Sequence, residues 1–209
     1  MKFYSQNGED YLAYQIFNNK KDGFFVEVGC IDGKRFSNTL FFEEQGWKGI
    51  CIEAHKDYID LLKKNRPNSQ IIQCAVGEKD EENVDFYANS RGSLSSLDKS
   101  KEEEFKKFGQ YFTGFEKQIV NKRTLNSIFD ELNVQHIDIL SIDIEGYEIE
   151  ALKGLNLSKY HPELLIIESD DIEHENKLDS MILPFGYYKI LKLKSNVFYS
   201  RNYKDQDVI

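Results

Sequence analysis

Four short segments of the chain set glycine or other small residues at the ends of apolar runs, three of them with a carboxylate, and each could meet a ligand. The first is Phe25-Val26-Glu27-Val28-Gly29-Cys30-Ile31-Asp32-Gly33. Glycines just after a buried strand let the backbone approach a ligand at the switch point of an α/β sheet. The spacing is E-x-G-x-x-x-G, not the dinucleotide fingerprint G-x-G-x-x-G, and a carboxylate in the turn repels a pyrophosphate. An ammonium or sulfonium group is welcomed by the same charge; otherwise Glu27 is a buried, capped acid in an ordinary turn. The second segment, Gly49-Ile50-Cys51-Ile52-Glu53-Ala54, puts an acid where it can accept both hydroxyls of a ribose. A Gly turn followed by such an acid points to a nucleoside. The third, Cys74-Ala75-Val76-Gly77, offers small residues beside which an adenine could lie flat, as many strand-end loops do.

The fourth is Ile139-Leu140-Ser141-Ile142-Asp143-Ile144-Glu145-Gly146-Tyr147-Glu148, followed at the next strand by Ile166-Ile167-Glu168-Ser169-Asp170-Asp171. Asp143 and Glu168 at neighbouring strand ends could bind a hard divalent cation such as Mg²⁺, or orient and deprotonate a hydroxyl. Acids at such positions also cap helices and face water. Glu145 and Glu148 suit the first turn of a helix, where the dipole favours negative charge, and Glu148 is best read that way. His55 follows Glu53 and could flank a nucleoside; His136, His161 and His174 fall in loops or at helix ends. No Ser/His/Asp elbow, Cys–His pairing or H-E-x-x-H motif supports a hydrolase.

These residues need a scaffold that brings strand ends together. Continuous apolar runs at Phe24–Val28, Gly49–Ile52, Gln70–Ala75, Ile137–Ile142 and Leu164–Ile167 predict strands buried on both faces of a parallel sheet. Helix-like segments alternate with them: Ser37–Gln45, Lys56–Asn65, Thr124–Leu132, Tyr147–Leu155 and His174–Leu183. Ser37 or Asn38 is an expected N-cap, Gly46 a closing residue and Thr124 a helix start. The alternation gives an α/β sheet with right-handed crossovers. Asn83–Ala88 reads as an edge strand, and residues 89–118 as a partly helical excursion, either lid or structural cover. Arg91, Ser93, Ser95, Tyr111, Phe112 and Phe115 within it suit a sugar ring. The charge-dense Lys101–Lys107 reads as a solvated helix face. Tyr187–Leu193 and Asn196–Arg201 predict a C-terminal antiparallel hairpin.

Composition sets outer limits. The chain's 209 residues suit one domain, and 40% hydrophobic residues can build a core. A net charge of −9 argues against a nucleic-acid partner. No apolar stretch reaches membrane length, the first ten residues carry no apolar signal core, and the three cysteines lack metal or disulfide spacing. A cytoplasmic chain without membrane partners is expected, of open oligomeric state.

In order and spacing these motifs resemble the FkbM family of S-adenosylmethionine-dependent methyltransferases. Ser5-Gln6-Asn7-Gly8-Glu9-Asp10 is similar to its S-Q-x-G-x-D entry, and Phe25–Gly33 with Ser37-Asn38-Thr39 to its first cofactor loop. Trp47–Glu53 matches its second strand. Arg123-Thr124-Leu125, then Ile142–Glu148 and Leu152-Lys153-Gly154, are similar to its T-L-D … K-I-D-V-E-G-x-E … L-K-G run. The chain departs at Cys30-Ile31, where Ala-Asn is usual, and at Ser141, where Lys is common. The resemblance implies a class I methyltransferase, Rossmann-like fold: a seven-stranded, mostly parallel sheet with helices on both faces and a reversed last strand. It implies S-adenosylmethionine held by Glu27, Gly29, Cys30, Gly33, Glu53, Ala54, Ala75 and Asp143, with Ser5, Gln6 and Asn38 at the methionine end. Asp143, Glu145 and Glu168 are the expected catalytic acids, and the acceptor a sugar, nucleotide-sugar or glycan hydroxyl. A nicotinamide-dependent sugar oxidoreductase is the alternative, disfavoured by the missing G-x-G-x-x-G; a non-catalytic nucleoside-binding module is another.

Overall fold

The computed structural model describes residues 1–18 and 20–202. Its elements run α1 (Glu9–Phe17), β1 (Phe24–Val28), α2 (Leu40–Glu44), β2 (Lys48–Glu53), α3 (Ile59–Asn65), β3 (Ser69–Gln73), β4 (Ala75–Val76) and β5 (Glu81–Asn89). Then follow α4 (Lys101–Phe105), β6 (Phe115–Arg123), α5 (Leu125–Glu131), β7 (Ile139–Ile142), α6 (Glu148–Lys153) and α7 (Leu157–Tyr160). The chain closes with β8 (Leu164–Glu168), α8 (Ile172–Ile182), β9 (Tyr188–Leu193) and β10 (Asn196–Ser200).

Seven strands form one sheet in the order β3-β2-β1-β7-β8-β10-β9. Only β10 runs against its neighbours, pairing antiparallel with β8 and β9. That is the strand order and single reversal of the class I methyltransferase sheet. Successive residues of the central strands feed opposite cores, as a two-sided sheet requires. Val26, Leu140 and Leu165 pack toward Leu125, Phe129 and Leu178, from α5 and α8. Phe25, Ile139 and Ile166 pack toward Phe41, Phe42, Trp47 and Leu62 on the other face.

Several local expectations change. Ser37 and Asn38 do not cap α2; Thr39 holds the cap position, while the Ser37 hydroxyl accepts the Thr39 and Leu40 amides. Gly46 closes α2 at φ 99°, as its type suggests. The run Gln70–Ala75 is split: β3 stays in the main sheet, and β4 leaves it to join β6 and β5 in a three-stranded second sheet. Residues 115–118, expected in the excursion, are therefore strand. Nor is Lys101–Lys107 merely a solvated face, since Phe105 in α4 is buried against Leu94 and Phe112.

One buried cluster ties the first strand to both flanking helices. Glu27, inside β1, accepts from Ser37 Oγ, Thr39 Oγ1, the Asn38 amide and Arg66 Nη1 (2.8 Å). Arg66, just after α3, is fully buried; its Nε donates to Glu43 at 2.7 Å and its guanidinium lies over Phe25. Burial opposes its charge, but Glu27 and Glu43 hold it protonated above its ordinary value. Glu27→Ala leaves that guanidinium half-paired and is expected to cost about 3–5 kcal/mol in urea unfolding. A loss below about 1 kcal/mol, the level of an exposed pair, would show that Arg66 does not depend on Glu27.

Candidate active site

A cavity of about 540 Å³ opens at the carboxyl ends of β1, β2, β7 and β8. Gly29 turns the chain there at φ 87°, and a Cβ added to it would lie 1.8 Å from the Asp143 carbonyl oxygen. Only glycine lets the loops after β1 and β7 approach this closely.

One half of the cavity is largely apolar, walled by Ile52, Ala54, Cys74, Ala75, Val76 and Phe86. Glu53 closes it. Its Oε2 accepts from the Ile31 amide and its Oε1 from the His55 amide, each at 2.7 Å, which fixes the carboxylate and leaves lone pairs toward the cavity. Burial pushes Glu53 up to about 7 against the pull of those amides. A pair of ribose hydroxyls fits this acceptor, and a flat base fits the apolar wall.

The other half is acidic. Asp143 follows β7 and Glu168 ends the adjacent β8, where Ile142 pairs with Ile167. Both carboxyls line the cavity, and neither forms a salt bridge among the described residues. Burial raises both, and for Glu168 the Asp143 charge adds to it. Glu145, at φ 58°, is pushed up to about 8 by burial and then by Asp143, and its Oε1 accepts from the Leu94 amide (2.8 Å). Glu148 is a first-turn acid, as its position suggests, at the start of α6. It is fully buried, and its Oε1 takes the Ile144 and Gly146 amides at 2.9 and 3.1 Å, holding the loop that carries Asp143 and Glu145. Its free Oε2 lies 3.6 Å from the unpartnered Nε2 of His174.

Most of the expected residues meet here: Gln6, Glu27, Gly29, Cys30, Asn38, Glu53, Ala54, Ala75, Asp143, Glu145 and Glu168 all line the cavity. Two do not. Ser5 lies outside the lining, its hydroxyl donating to Asp10 at 2.5 Å and accepting the Gly8 amide, so it shapes the turn that presents Gln6. Gly33 packs instead under α3, where a Cβ would meet Leu62 and Arg66 at 2.5 and 2.6 Å. Glu27 contributes no free charge, because Arg66 and three further donors occupy its carboxylate. His55 is turned away, with Nε2 on the Asn89 carbonyl.

Of the excursion, Ser93, Ser95 and Tyr111 reach the cavity, while Phe112 and Phe115 build a small core with Phe105 and Leu94. Asp170, beside Glu168 in its segment, also lines it, as do Arg35, Phe36, Leu94, Glu104 and Phe108, which carry no sequence motif. Among the described residues, three possible metal ligands converge at Glu27, Cys30 and Cys51 and at His136, Asp138 and Glu163, but not around Asp143 and Glu168. The Tyr-x-x-x-Lys spacing that a nicotinamide-dependent sugar oxidoreductase could use for proton transfer is found at Tyr188 and Lys192, but on β9, with Lys192 paired to Glu175 and neither residue at the cavity.

The profile of the methyltransferase FkbM domain matches residues 16–189. The chain belongs to the FkbM methyltransferase family. No curated protein matches it. Among solved structures, a precorrin-6y C5,15-methyltransferase from Geobacter metallireducens aligns over 94% of this chain and 87% of its own, at 9% identity and TM-score 0.49. A TehB-like SAM-dependent methyltransferase from Corynebacterium glutamicum aligns over 93% and 87%, at 10% identity and TM-score 0.46. A Methanococcus jannaschii fibrillarin pre-rRNA processing protein aligns over 92% and 74%, at 13% identity and TM-score 0.46. This FkbM methyltransferase uses S-adenosylmethionine as methyl donor, and no helix among its described residues is long and apolar enough to cross a membrane.

The acidic crowding has a measurable consequence for the free protein. Glu53 and Glu148, near 7, and Glu145, near 8, bind protons in the folded state that the unfolded chain, with carboxyls at 4.5, has already lost. Folding stability therefore falls as pH rises between the carboxyls' unfolded and folded values. His55 and His174, lowered by burial, act oppositely below their ordinary 6.5. The midpoint of thermal unfolding without ligand is expected to drop from pH 6.5 to pH 8; a flat or rising profile would contradict the assignment.

Proposed function

We propose that the chain transfers a methyl group from S-adenosylmethionine to a hydroxyl of a sugar-like acceptor. The observation that supports this reading is that Asp143 and Glu168, on adjacent strand ends, line the same cavity that Glu53 closes. When bound, the donor supplies a methyl group on a sulfonium, already activated for displacement. The chain must then hold a hydroxyl in line with that bond and accept its proton. Glu53 would hold the ribose, and Gln6 and Asn38 would meet the methionine end. Asn38 is set for this by its amide on Glu27 and its Nδ2 on Ser141 Oγ.

Asp143 or Glu168 would accept the proton of a hydroxyl held in the cavity as that hydroxyl takes the methyl group. A carboxylate whose affinity for protons is raised toward neutrality is a better base than an exposed one. Glu145 is already engaged by Leu94, so its role is to tether residues 92–96 over the cavity. Phe36, Phe108 and Tyr111, each about half exposed at the rim, offer a face on which a sugar ring can stack. A divalent cation would need ligands that Asp143 and Glu168 do not gather from their surroundings, so a carboxylate base without metal is favoured.

Glu53→Ala is expected to weaken S-adenosylhomocysteine binding by about 1.5–3 kcal/mol in calorimetry, as for hydrogen bonds to a charged group. Unchanged affinity removes Glu53 from the site, and NAD binding in place of S-adenosylhomocysteine would restore the oxidoreductase alternative. Asp143→Asn should lower methyl transfer to hydroxyl acceptors by roughly 10²–10⁴-fold while the cofactor still binds. Full activity is expected after exhaustive chelation. Loss with EDTA and recovery with Mg²⁺ would overturn the metal-free route.

A further inference from the structure

The acidic half of the cavity gathers five carboxyls, and burial keeps Asp143, Glu145 and Glu168 holding protons that a bound cation would displace. Glu104, Asp143, Glu145, Glu168 and Asp170 line it, and of these only Glu104 has a salt bridge among the described residues, to Lys101 at 3.1 Å. Among the described residues Arg35 is the one basic side chain in the lining; it donates to the Arg91 carbonyl and lies against Phe36 and Tyr58. Glu168 Oε2 is closed off from solvent without a hydrogen-bond partner. The donor brings a single net positive charge, since its carboxylate cancels one of its two cationic centres.

A phosphorylated or carboxylated acceptor would meet repulsion here. A divalent ion is poorly served, because these oxygens do not converge in a set of three. An ammonium takes carboxylates through separate hydrogen bonds and tolerates wider spacing. The aromatic rim of Phe36, Phe108 and Tyr111 adds faces that attract both a sugar ring and a cation.

We propose that the acceptor carries a free, protonated amine near the hydroxyl that is methylated, as in an amino sugar or amino polyol. The inference rests on the methyl-transfer reading above. The amine sits among Glu145, Glu168 and Asp170, and the ring stacks at the rim.

The test is binding of glucosamine, N-acetylglucosamine, glucose and glucose 6-phosphate to the protein saturated with S-adenosylhomocysteine, titrated by ligand-observed NMR. Glucosamine should bind about tenfold tighter than glucose or its acetylated form, the size of a charge-assisted contact in a partly buried site, and glucose 6-phosphate weakest. Asp170→Asn, on the exposed side of the cluster, should erase most of that advantage. Equal binding of glucosamine and glucose, no glucosamine binding, or preference for the phosphate would overturn the proposal. So would Mg²⁺ binding that displaces glucosamine. If S-adenosylhomocysteine itself fails to bind, the functional reading falls first, and this inference with it.

Discussion

Like charges gathered where water is scarce are the constraint on which this structure turns. A parallel sheet directs its strand ends to one edge, and in this chain four of those ends carry acids: Glu27, Glu53, Asp143 and Glu168. Each buried carboxylate needs a donor, a cation or a proton. The fold answers differently at each position. Glu27 receives a buried guanidinium and becomes structural, whereas Glu53 receives backbone amides and is held ready. Asp143 and Glu168 have no salt bridge among the described residues, and burial raises both toward the protonated form.

That difference separates scaffold from site. Arg66 joins β1, α2 and α3 through Glu27 and Glu43, fixing the loop that contains Gly29 and Asn38. Glu148 does the same for the opposite loop through two amides. Between these supports lie the carboxylates without cations, with protonation raised toward neutrality. A cationic methyl donor would relieve the repulsion among these carboxyls, so donor binding and acid ionisation are coupled.

The strands and the main helices are legible in sequence because burial on both faces leaves unbroken apolar runs such as Ile139-Leu140 and Leu164–Ile167. The resemblance in the motif-bearing loops located the cavity. What sequence spacing hides is partnership. Glu27 looks like a ligand-facing acid until Arg66, 39 positions away, is seen to occupy it. Ser5 and Gly33 sit in motif segments yet serve the turn and the packing beneath them. The second sheet was obscured because β6 buries Gln118, whose amide is used by Lys56 and Asp57, in place of an apolar residue. The rim residues Phe108 and Glu104 fall in a charge-rich stretch whose packing on Phe112 and Phe115 depends on tertiary contact alone.

The coupling of charge to donor binding is most directly tested by proton release. Calorimetric titrations with S-adenosylmethionine and S-adenosylhomocysteine near pH 7, in buffers of different ionisation enthalpy, count the protons exchanged on binding. Carboxyls held partly protonated by one another should lose protons when either ligand binds, and lose more to the sulfonium than to the neutral thioether. Binding without net proton release, or equal release for the two ligands, would contradict an acidic cavity built around a cationic methyl donor.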